Sequence, residues 1–328
     1  MRAGEMLSDL GPGTNQRVLL INQDKKIQRS LFRLLRCLVS HVDVCDHFSE
    51  KPVAAEYDLV ICDYDSLSAD ERFHINDVFT PETAKAKLLL FSDGQCRDDF
   101  VSLFGRRTLT NLVANNSNIV ANTDLIVTVQ KILRKDIFGI EKYFSWGVRP
   151  YTMRIGRSRD KDEVIVRARA YAETIGIHSR MVELICSVAD EFVTNCIYNA
   201  PVNEKGEYRY ASLPRTSEVE LDAGEEAVLT LCCDGRRLGI SATDPFGSLS
   251  PEMIQSYLSK CFRMGDDQVD RESGGAGLGL YYVFESLSHF VINISRHKQT
   301  EVIGLVNVQG SYRDFLRSGK SFNIFTSD

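Results

Sequence analysis

A glycine-rich stretch, RESGGAGLGL at residues 271–280, has a composition that indicates ligand chemistry. Gly274, Gly275, Gly277 and Gly279 lie just before the apolar run LYYVFESLSHF. Glycine lets backbone N–H groups approach a ligand, and a helix that begins there adds further N–H groups and a positive dipole end. Phosphate suits this arrangement. The spacing matches neither the P-loop, which needs Lys-Ser or Lys-Thr, nor the dinucleotide motif G-x-G-x-x-G, and a flexible surface loop is the alternative.

Three polar residues share one face of a predicted helix. The segment SRMVELICSVADEFVTNCIYNAP (179–201) carries apolar residues at helical spacing and ends at Pro201. Glu191, Asn195 and Asn199 are spaced four apart, so their side chains point from one face. An Asn carbonyl can ligate Mg²⁺, and a Glu can deprotonate a water or hydroxyl near a phosphate. Taken alone, a solvated helix face is the simpler interpretation.

A carboxylate follows the second strand of a predicted hairpin. The segments AVLTLCC and RLGISATD flank an Asp-Gly turn, and Asp244 ends the second of them. A carboxylate fixed there can accept a hydrogen bond from an amino group such as that of adenine, although an Asp-Pro turn also explains it. Gly247 lets the backbone pass closely. VINISR and TEVIGLVNV predict a closing hairpin, with Thr300 at the start of its second strand.

The first half of the chain alternates strand-like and helical segments. In order these are RVLLINQ, IQRSLFRLLRCLV, YDLVICDY, KLLLFSD, TNLVANN and TDLIVTVQKILRK. This alternation predicts an α/β doubly wound parallel sheet. The functional crevice of such a sheet lies past the carboxyl ends of its strands, where Asn22, Gln23, Asp63 and Ser92 stand.

That layout resembles a response-regulator receiver domain, a flavodoxin-like fold, over about residues 16–137. The resemblance implies a phospho-acceptor role for Asp63 and a hydroxyl role for Ser92. Asn22 and Gln23 replace the acidic pair that holds Mg²⁺ in receivers, and the lysine after the fifth strand is missing in LVANN. A phosphoryl group on Asp63 would therefore have little to stabilise it. We predict a pseudo-receiver used for docking or as a spacer, with Asp63 a polar residue at a strand end.

The polar sets of the second half occur in a specific order: E-x-x-x-N on a helix, D-x-x-G after a strand, and G-x-G-L-G-L at a helix start. This order resembles the GHKL (histidine-kinase-like) ATPase superfamily over about residues 150–310, which implies an α/β sandwich that binds ATP and Mg²⁺. The implied cofactor-binding residues are Asn195, Asn199, Asp244, Gly247, Gly275, Gly277, Leu278, Gly279 and Thr300.

Within that set the resemblance implies distinct roles. Asn195 would ligate Mg²⁺, and Asp244 with Thr300 would hold adenine. Backbone amides of the glycine-rich loop would contact the phosphates, and residues 263–274 would form a lid over the nucleotide. Glu191 would be the catalytic base.

The run RARAYAETIGIHSRMVELICSVADEFVTNCIYNA is similar to the bacterial anti-sigma-factor serine kinases of partner-switching systems. The histidine kinases fit less well, because His178 lies in a short turn between helices rather than in a phospho-accepting hairpin. The chain also departs from the serine kinases, since it has DPFG in place of D-x-G-x-G and a longer connection at 202–224.

These resemblances imply an ATP-dependent serine/threonine kinase that acts on a regulatory protein, either an anti-sigma antagonist or a sigma-like factor. The alternative is a conformational switch or scaffold that reads ATP without turnover. Glu191 favours the kinase, because a pure sensor needs no base. The sequence leaves a homodimer open.

Length and composition set the remaining expectations. The 328 residues suggest two domains, which we predict as a tail at 1–15, the pseudo-receiver at 16–137, a linker at 138–150 and the ATPase domain at 151–328. A net charge of −6 without a long basic run argues against nucleic acid as the main partner. The sequence has no apolar run of about 20 residues, no signal-peptide pattern and no C-x-x-C pair, so we expect a cytoplasmic protein without a membrane span.

Overall fold

The structure is a computed structural model that describes residues 16–48, 56–79, 87–92, 110–115, 122–264 and 276–327. The chain is a mixed α/β protein that divides into two compact units. The first unit comprises Met1–Asp136 and Ser321–Asn323, and the second comprises Ile137–Lys320 and Ile324–Asp328.

The first unit is built on parallel strands connected by helices. Its described elements are β1 (Arg17–Ile21), α1 (Lys25–Arg36), β2 (His41–Cys45), β3 (Leu59–Asp63), α2 (Ala69–Val78), β4 (Lys87–Ser92), β5 (Asn111–Ala114) and α3 (Thr123–Arg134). The strands lie in the order β2-β1-β3-β4-β5, and each neighbouring pair is parallel. The predicted parallel α/β arrangement of this half is therefore confirmed.

The core of the first unit follows from its apolar runs. Val18 and Leu20 of β1, with Ile61 of β3, are buried and contact Leu31 and Leu35, which lie one helical turn apart on α1. Before α1, the side chain of Asp24 caps the helix by accepting hydrogen bonds from two backbone N–H groups. The core thus holds the carboxyl ends of the strands in fixed positions.

Two elements of this unit are not predicted by the sequence. Strand β2 reads HVDVC, which is short and mostly only partly buried. Helix α2 reads ADERFHINDV and has almost no apolar stripe, although Ser68 and Glu71 form a capping box at its start. Both elements depend on tertiary pairing rather than on a local apolar pattern.

The second unit combines an antiparallel sheet with helices. Its described elements are β6 (Tyr151–Ile155), α4 (Asp160–Thr174), α5 (Ser179–Thr194), β7 (Ala227–Cys233), β8 (Arg237–Asp244), α6 (Pro251–Met264), α7 (Ala276–Glu285), β9 (His289–Ser295), β10 (Gln299–Asn307), α8 (Tyr312–Arg317) and β11 (Ser321–Ser327), whose first three residues group with the first unit. The sheet order is β6-β7-β8-β10-β9, and each neighbouring pair is antiparallel. Helix α5 packs on β8 and against α4 and α7.

The predicted hairpins of this unit are confirmed. Asp234 and Gly235 form the turn between β7 and β8, and Gly235 has the positive φ of 79° that such turns require. Strands β9 and β10 form the second hairpin. Because β10 also pairs with β8, Thr300 lies directly opposite Asp244.

The segment at 138–150, predicted as a linker, belongs to the second unit and packs against its strands. A 3₁₀ turn spans Ile140–Tyr143, in which Ile140 and Tyr143 are buried. The Tyr143 ring meets the His289 ring edge-on at 5.4 Å, and the N–H of Gly139 donates to the Glu301 carboxylate at 2.9 Å. These contacts fix the segment against strands β9 and β10.

Candidate functional site

The carboxyl ends of the parallel strands in the first unit bring together the residues expected there. The side-chain amide of Asn22, which is fully buried, donates to the Asp63 carboxylate at 3.4 Å. The Ser92 hydroxyl donates to Asp65 at 2.7 Å, and Asp65 is a neighbour that the sequence analysis does not single out. Gln23 donates to the backbone oxygen of Ser66. The Asn22 amide therefore contacts Asp63 at this edge, whereas Gln23 and Ser92 bond to Ser66 and Asp65.

In the second unit, the polar face of α5 continues into an irregular turn. Helix α5 ends at Thr194, and Asn195–Asn199 form a π-helical turn, a rare geometry that often occurs at functional sites. The Asn195 amide donates to Oε1 of Glu191 at 2.8 Å, and the Asn199 amide donates to Oδ1 of Asn195 at 2.5 Å. All three residues are only partly exposed. Hydrogen bonds link the three side chains to one another, and Asn195 and Asn199 border a cavity, which the interpretation as a solvated helix face does not predict.

Glu191 has the properties of a buried carboxylate. Burial raises its pKa, and the nearby charge of Asp190 adds to that rise. The hydrogen bond from Asn195 and the positive charge of Arg215 oppose it. A carboxylate with a raised pKa is a better proton acceptor, which suits a general base.

Gly279 of α7 lies directly against Glu191. A Cβ atom built at Gly279 would overlap the carboxylate group of Glu191. An alanine at this position would therefore force the Glu191 carboxylate, the end of a flexible side chain, to move. The motif indicates only phosphate contacts for Gly279, so the packing of this residue against Glu191 is a second reason for glycine, which the sequence does not reveal.

Asp244 is buried at the end of β8. Its Oδ1 accepts a hydrogen bond from the backbone N–H of Phe246 at 3.0 Å, and the N–H of Gly247 also interacts with the carboxylate. Burial outweighs these bonds and raises the pKa of Asp244 to about 7. Burial raises the pKa of the Cys196 thiol well above its usual range, and the nearby charge of Asp244 adds to that rise. No cation among the described residues takes part in the shift of the Asp244 pKa, so this carboxylate can accept a hydrogen bond from a ligand.

Gly247 allows two backbone segments to approach each other. It has a φ of 59°, and a Cβ there would lie 2.8 Å from the backbone nitrogens of His297 and Lys298 and would overlap the carbonyl oxygen of Ser295. The His297 N–H donates to the Gly247 oxygen at 3.2 Å. The close passage that the sequence predicts is thus to the turn between β9 and β10, which anchors the loop after Asp244.

A cavity of about 220 Å³ joins these elements. It is bounded by Phe192, Asn195, Cys196, Asn199, Ala200, Tyr208, Ala211, Asp244, Leu249, Met253, Tyr257, Leu280, Val283, Thr300 and Val302. Most of this lining is apolar, with Asp244 and Thr300 as polar groups from two strands and Asn195 and Asn199 from the π turn. An apolar pocket with a few convergent polar groups is typical of small-molecule sites.

The Thr300 hydroxyl indicates that the cavity could hold a ligand with a polar group. Its hydroxyl is buried and has no hydrogen-bond partner within the described part of the chain, although Asp244 faces it across the strands. An unpartnered buried hydroxyl costs free energy, which a ligand with a donor or acceptor would recover. The cavity is smaller than the roughly 300–1,000 Å³ of pockets for drug-sized ligands, so it suits a group the size of a nucleobase. The residues present fit adenine.

Part of the predicted phosphate loop lies outside the described residues. Gly275 is outside them, and so is most of the segment 263–274 predicted as a lid. Gly277 and Leu278 belong to the first turn of α7, of which only the backbone is described. Their predicted contacts with phosphate stay predictions.

Sequence reasoning did not find the part of the site that comes from residues 202–224. Tyr208 and Ala211 line the cavity, and the Tyr208 hydroxyl lies 3.5 Å from the backbone oxygen of Ser248. Arg215 donates to Oδ1 of Asn199 at 2.9 Å. No periodicity in this polar segment signals these contacts, because they depend on where the chain folds back.

No protein-family model matches the chain, and no curated protein is significantly similar to it. Among the described residues, no group of three or more His, Cys, Asp or Glu side chains could hold a metal ion. This leaves the Mg²⁺ role of Asn195 a prediction, because Mg²⁺ that binds with a nucleotide takes few protein ligands besides phosphate and water. None of the helices in the described ranges combines the length and apolar composition that a membrane span requires.

Proposed function

We propose that the second unit binds ATP with Mg²⁺ and transfers the γ-phosphoryl group to a serine or threonine hydroxyl of a regulatory protein. One observation carries the proposal: a single apolar cavity is lined by predicted binding residues from three separate parts of the sequence. Asn195, Asp244 and Thr300 are distant in sequence, yet all three border this cavity. Mutually distant predicted residues would not be expected to share a pocket if each had only a structural role.

Some of the site residues would bind the magnesium nucleotide, and another would take part in the transfer reaction. Asp244 would accept a hydrogen bond from the exocyclic amine of adenine, and Thr300 would use its unpartnered hydroxyl nearby. Asn195 would offer its carbonyl oxygen to Mg²⁺. When bound, the magnesium nucleotide supplies the phosphoryl group and neutralises its charge, so that the protein contributes mainly positioning.

Glu191 would accept the proton of the attacking hydroxyl. It is partly buried, it accepts a hydrogen bond from Asn195, and the absence of a side chain at Gly279 makes room for its carboxylate. A switch that only reads ATP has no use for such a base, so this feature favours transfer over sensing. The resemblance to anti-sigma-factor serine kinases supports a protein hydroxyl as the acceptor and an anti-sigma antagonist or sigma-like factor as the partner.

The first unit would serve as a docking domain with a receiver-like fold. The strand order β2-β1-β3-β4-β5 is that of flavodoxin-like sheets, which supports this assignment. Asn22 donates to Asp63 where a receiver would hold Mg²⁺ with acids. This supports docking rather than phosphorylation as the role of the unit.

The decisive experiment compares Glu191→Gln with the unchanged chain. The variant keeps the size of the side chain but removes the proton acceptor, so ATP affinity by calorimetry should stay within a few-fold. Turnover, measured as hydrolysis or as transfer of labelled phosphate to partner candidates, should fall by about 10²–10⁴-fold.

Glu183→Gln is the matched control for that experiment. Glu183 lies on the same helix, is exposed and pairs with Arg169 at 2.6 Å, so this change should leave turnover unaltered. Equal turnover in Glu191→Gln and the unchanged chain would remove Glu191 from the mechanism. Absence of ATP binding by the unchanged chain would reject the proposed function itself.

A further inference from the structure

Residues 202–224, which connect the π turn to β7, are anchored to that turn by one buried tyrosine. The Tyr198 hydroxyl, almost fully buried, lies 3.0 Å from the backbone oxygen of Arg215 and 2.7 Å from that of Ser217. The Arg215 guanidinium lies over the Tyr198 ring at 5.0 Å from its centre. Although Arg215 is exposed, both its backbone and its side chain are therefore held against the turn that carries Asn195 and Asn199.

Arg215 begins a chain of hydrogen bonds that ends at Glu191. Its Nη2 donates to Oδ1 of Asn199, at 2.9 Å. The Asn199 amide donates to Oδ1 of Asn195, and the Asn195 amide donates to Glu191. The four side chains thus form one continuous path from an exposed cation to a buried carboxylate.

The two ends of this path determine the direction of every bond in it. A guanidinium can only donate and an ionised carboxylate can only accept, whereas an Asn amide can rotate by 180° and exchange the two roles. With Arg215 present, Asn199 must turn its oxygen toward the guanidinium and its NH₂ group toward Asn195. Asn195 must then turn its oxygen away from Glu191. Without the cation, only the carboxylate end would bias the two amides.

We propose that Arg215 is a positioning residue for the nucleotide site, which acts through Asn199 to keep the carbonyl oxygen of Asn195 turned away from Glu191, where it would be available to Mg²⁺. The inference rests on the proposed function, in which that oxygen is the metal ligand. It also assigns a role to the connection at 202–224, which brings Arg215 to the π turn. Arg215 acts on Asn195 through a neighbour and does not itself contact the reacting atoms.

ATP affinity measured with and without Mg²⁺ tests this role in the full chain. Arg215→Met removes the donor and the charge but keeps most of the side chain, so affinity with Mg²⁺ should fall about tenfold, as for loss of one charge-assisted hydrogen bond. Affinity in EDTA should stay within twofold, because the base-binding residues are unchanged. Arg215→Lys retains a donor and should recover part of the Mg²⁺-dependent affinity.

Arg157→Met is the matched control. Arg157 is also exposed and ties the same connection to the rest of the unit through Glu220 at 2.8 Å, but it does not contact Asn199. It should leave both affinities unchanged. An equal loss for Arg215→Met with and without Mg²⁺ would indicate direct phosphate contact and overturn the positioning role, as would no loss at all.

A second measurement needs no ligand and separates the two proposals. The side-chain NH₂ signals of Asn195, assigned by their loss in Asn195→Asp, should shift in the NMR spectrum of nucleotide-free Arg215→Met and not in that of Arg157→Met. Unshifted signals would overturn the inference. If the unchanged chain bound no ATP in the presence of Mg²⁺, the proposed function would fail, while these signals would still decide whether Arg215 orients Asn195.

Discussion

The carboxylate of Asp244 lies where its charge destabilises the folded state. It is buried, its pKa is raised to about 7, and it interacts with two backbone N–H groups. An aspartate in an unfolded chain has a pKa near 4, so between about pH 4 and 7 the folded state holds a proton that the unfolded state has lost. The free energy of unfolding therefore falls as pH rises through this range and is constant above it.

Asp244→Asn should remove this pH dependence because asparagine does not ionise. At pH 8 the variant should be more stable than the unchanged chain by up to about 4 kcal/mol, which corresponds to three pKa units. At pH 4 the gain should vanish. Urea unfolding across this pH range measures both effects.

The same variant should lose affinity for ATP, since an amide in place of the carboxylate changes the acceptor that we propose for adenine. If the variant gained stability and lost ATP affinity, Asp244 would serve ligand binding at the expense of stability. Asp222→Asn, which changes an exposed carboxylate of the same unit, should alter neither property. Unchanged stability at pH 8 for Asp244→Asn would contradict the buried, ionised state described above.

At the scale of elements, α7 and α5 meet where a glycine faces an acid. Replacing a helical glycine by alanine usually stabilises a protein by about 1 kcal/mol. At Gly279 the new methyl group would overlap the Glu191 carboxylate, so Gly279→Ala should instead lower the free energy of unfolding. Chemical denaturation of the single variant measures this sign.

A double-mutant cycle with Glu191→Ala identifies the cause. Removing the carboxylate makes room for the methyl group, so Gly279→Ala in the Glu191→Ala background should recover the usual gain of a helical alanine. If Gly279→Ala had the same effect in both backgrounds, the contact between these two helices would not explain the need for glycine.

A helix or strand can be predicted from the sequence when a local residue pattern is enough to form it. The strand β3 reads as an apolar run and α5 carries a regular apolar stripe, so both follow from pattern alone. Strand β2 and helix α2 lack such patterns, and the sequence likewise predicts neither α8 nor β11. The spacing of Glu191, Asn195 and Asn199 predicted a shared helix face, but not the π turn that ends it.

The parts of the site that escaped prediction depend on tertiary contacts. Arg215 reaches Asn199 because the Tyr198 hydroxyl holds the returning chain, and nothing in the local sequence encodes that return. Similarly, the contact between Gly279 and Glu191 requires two helices that are far apart in sequence to pack together. Short motifs therefore located the acid, the amides and the glycines, but not the residues that support them.

At the scale of the whole molecule, the candidate nucleotide site belongs entirely to the second unit. Every residue that lines the cavity falls within Ile137–Lys320. Damage to the core of the first unit should consequently leave nucleotide affinity intact, even where it costs the protein stability. Leu89 of β4 is fully buried in the core of the first unit, and Leu229 of β7 is fully buried in the second, so the chain offers a matched pair.

Leu89→Ala should lower the stability of the first unit by about 2–5 kcal/mol, the usual cost of such a cavity, while the affinity for ATP stays within twofold. Peptide-resolved hydrogen exchange should show ATP-induced protection confined to the second unit in both the unchanged chain and this variant, because a ligand stabilises the structure that it binds. Leu229→Ala makes the same chemical change and should instead increase exchange in the second unit and lower ATP affinity. A fall in affinity for Leu89→Ala as large as that for Leu229→Ala would show that the first unit contributes to nucleotide binding, and its role would then have to extend beyond docking.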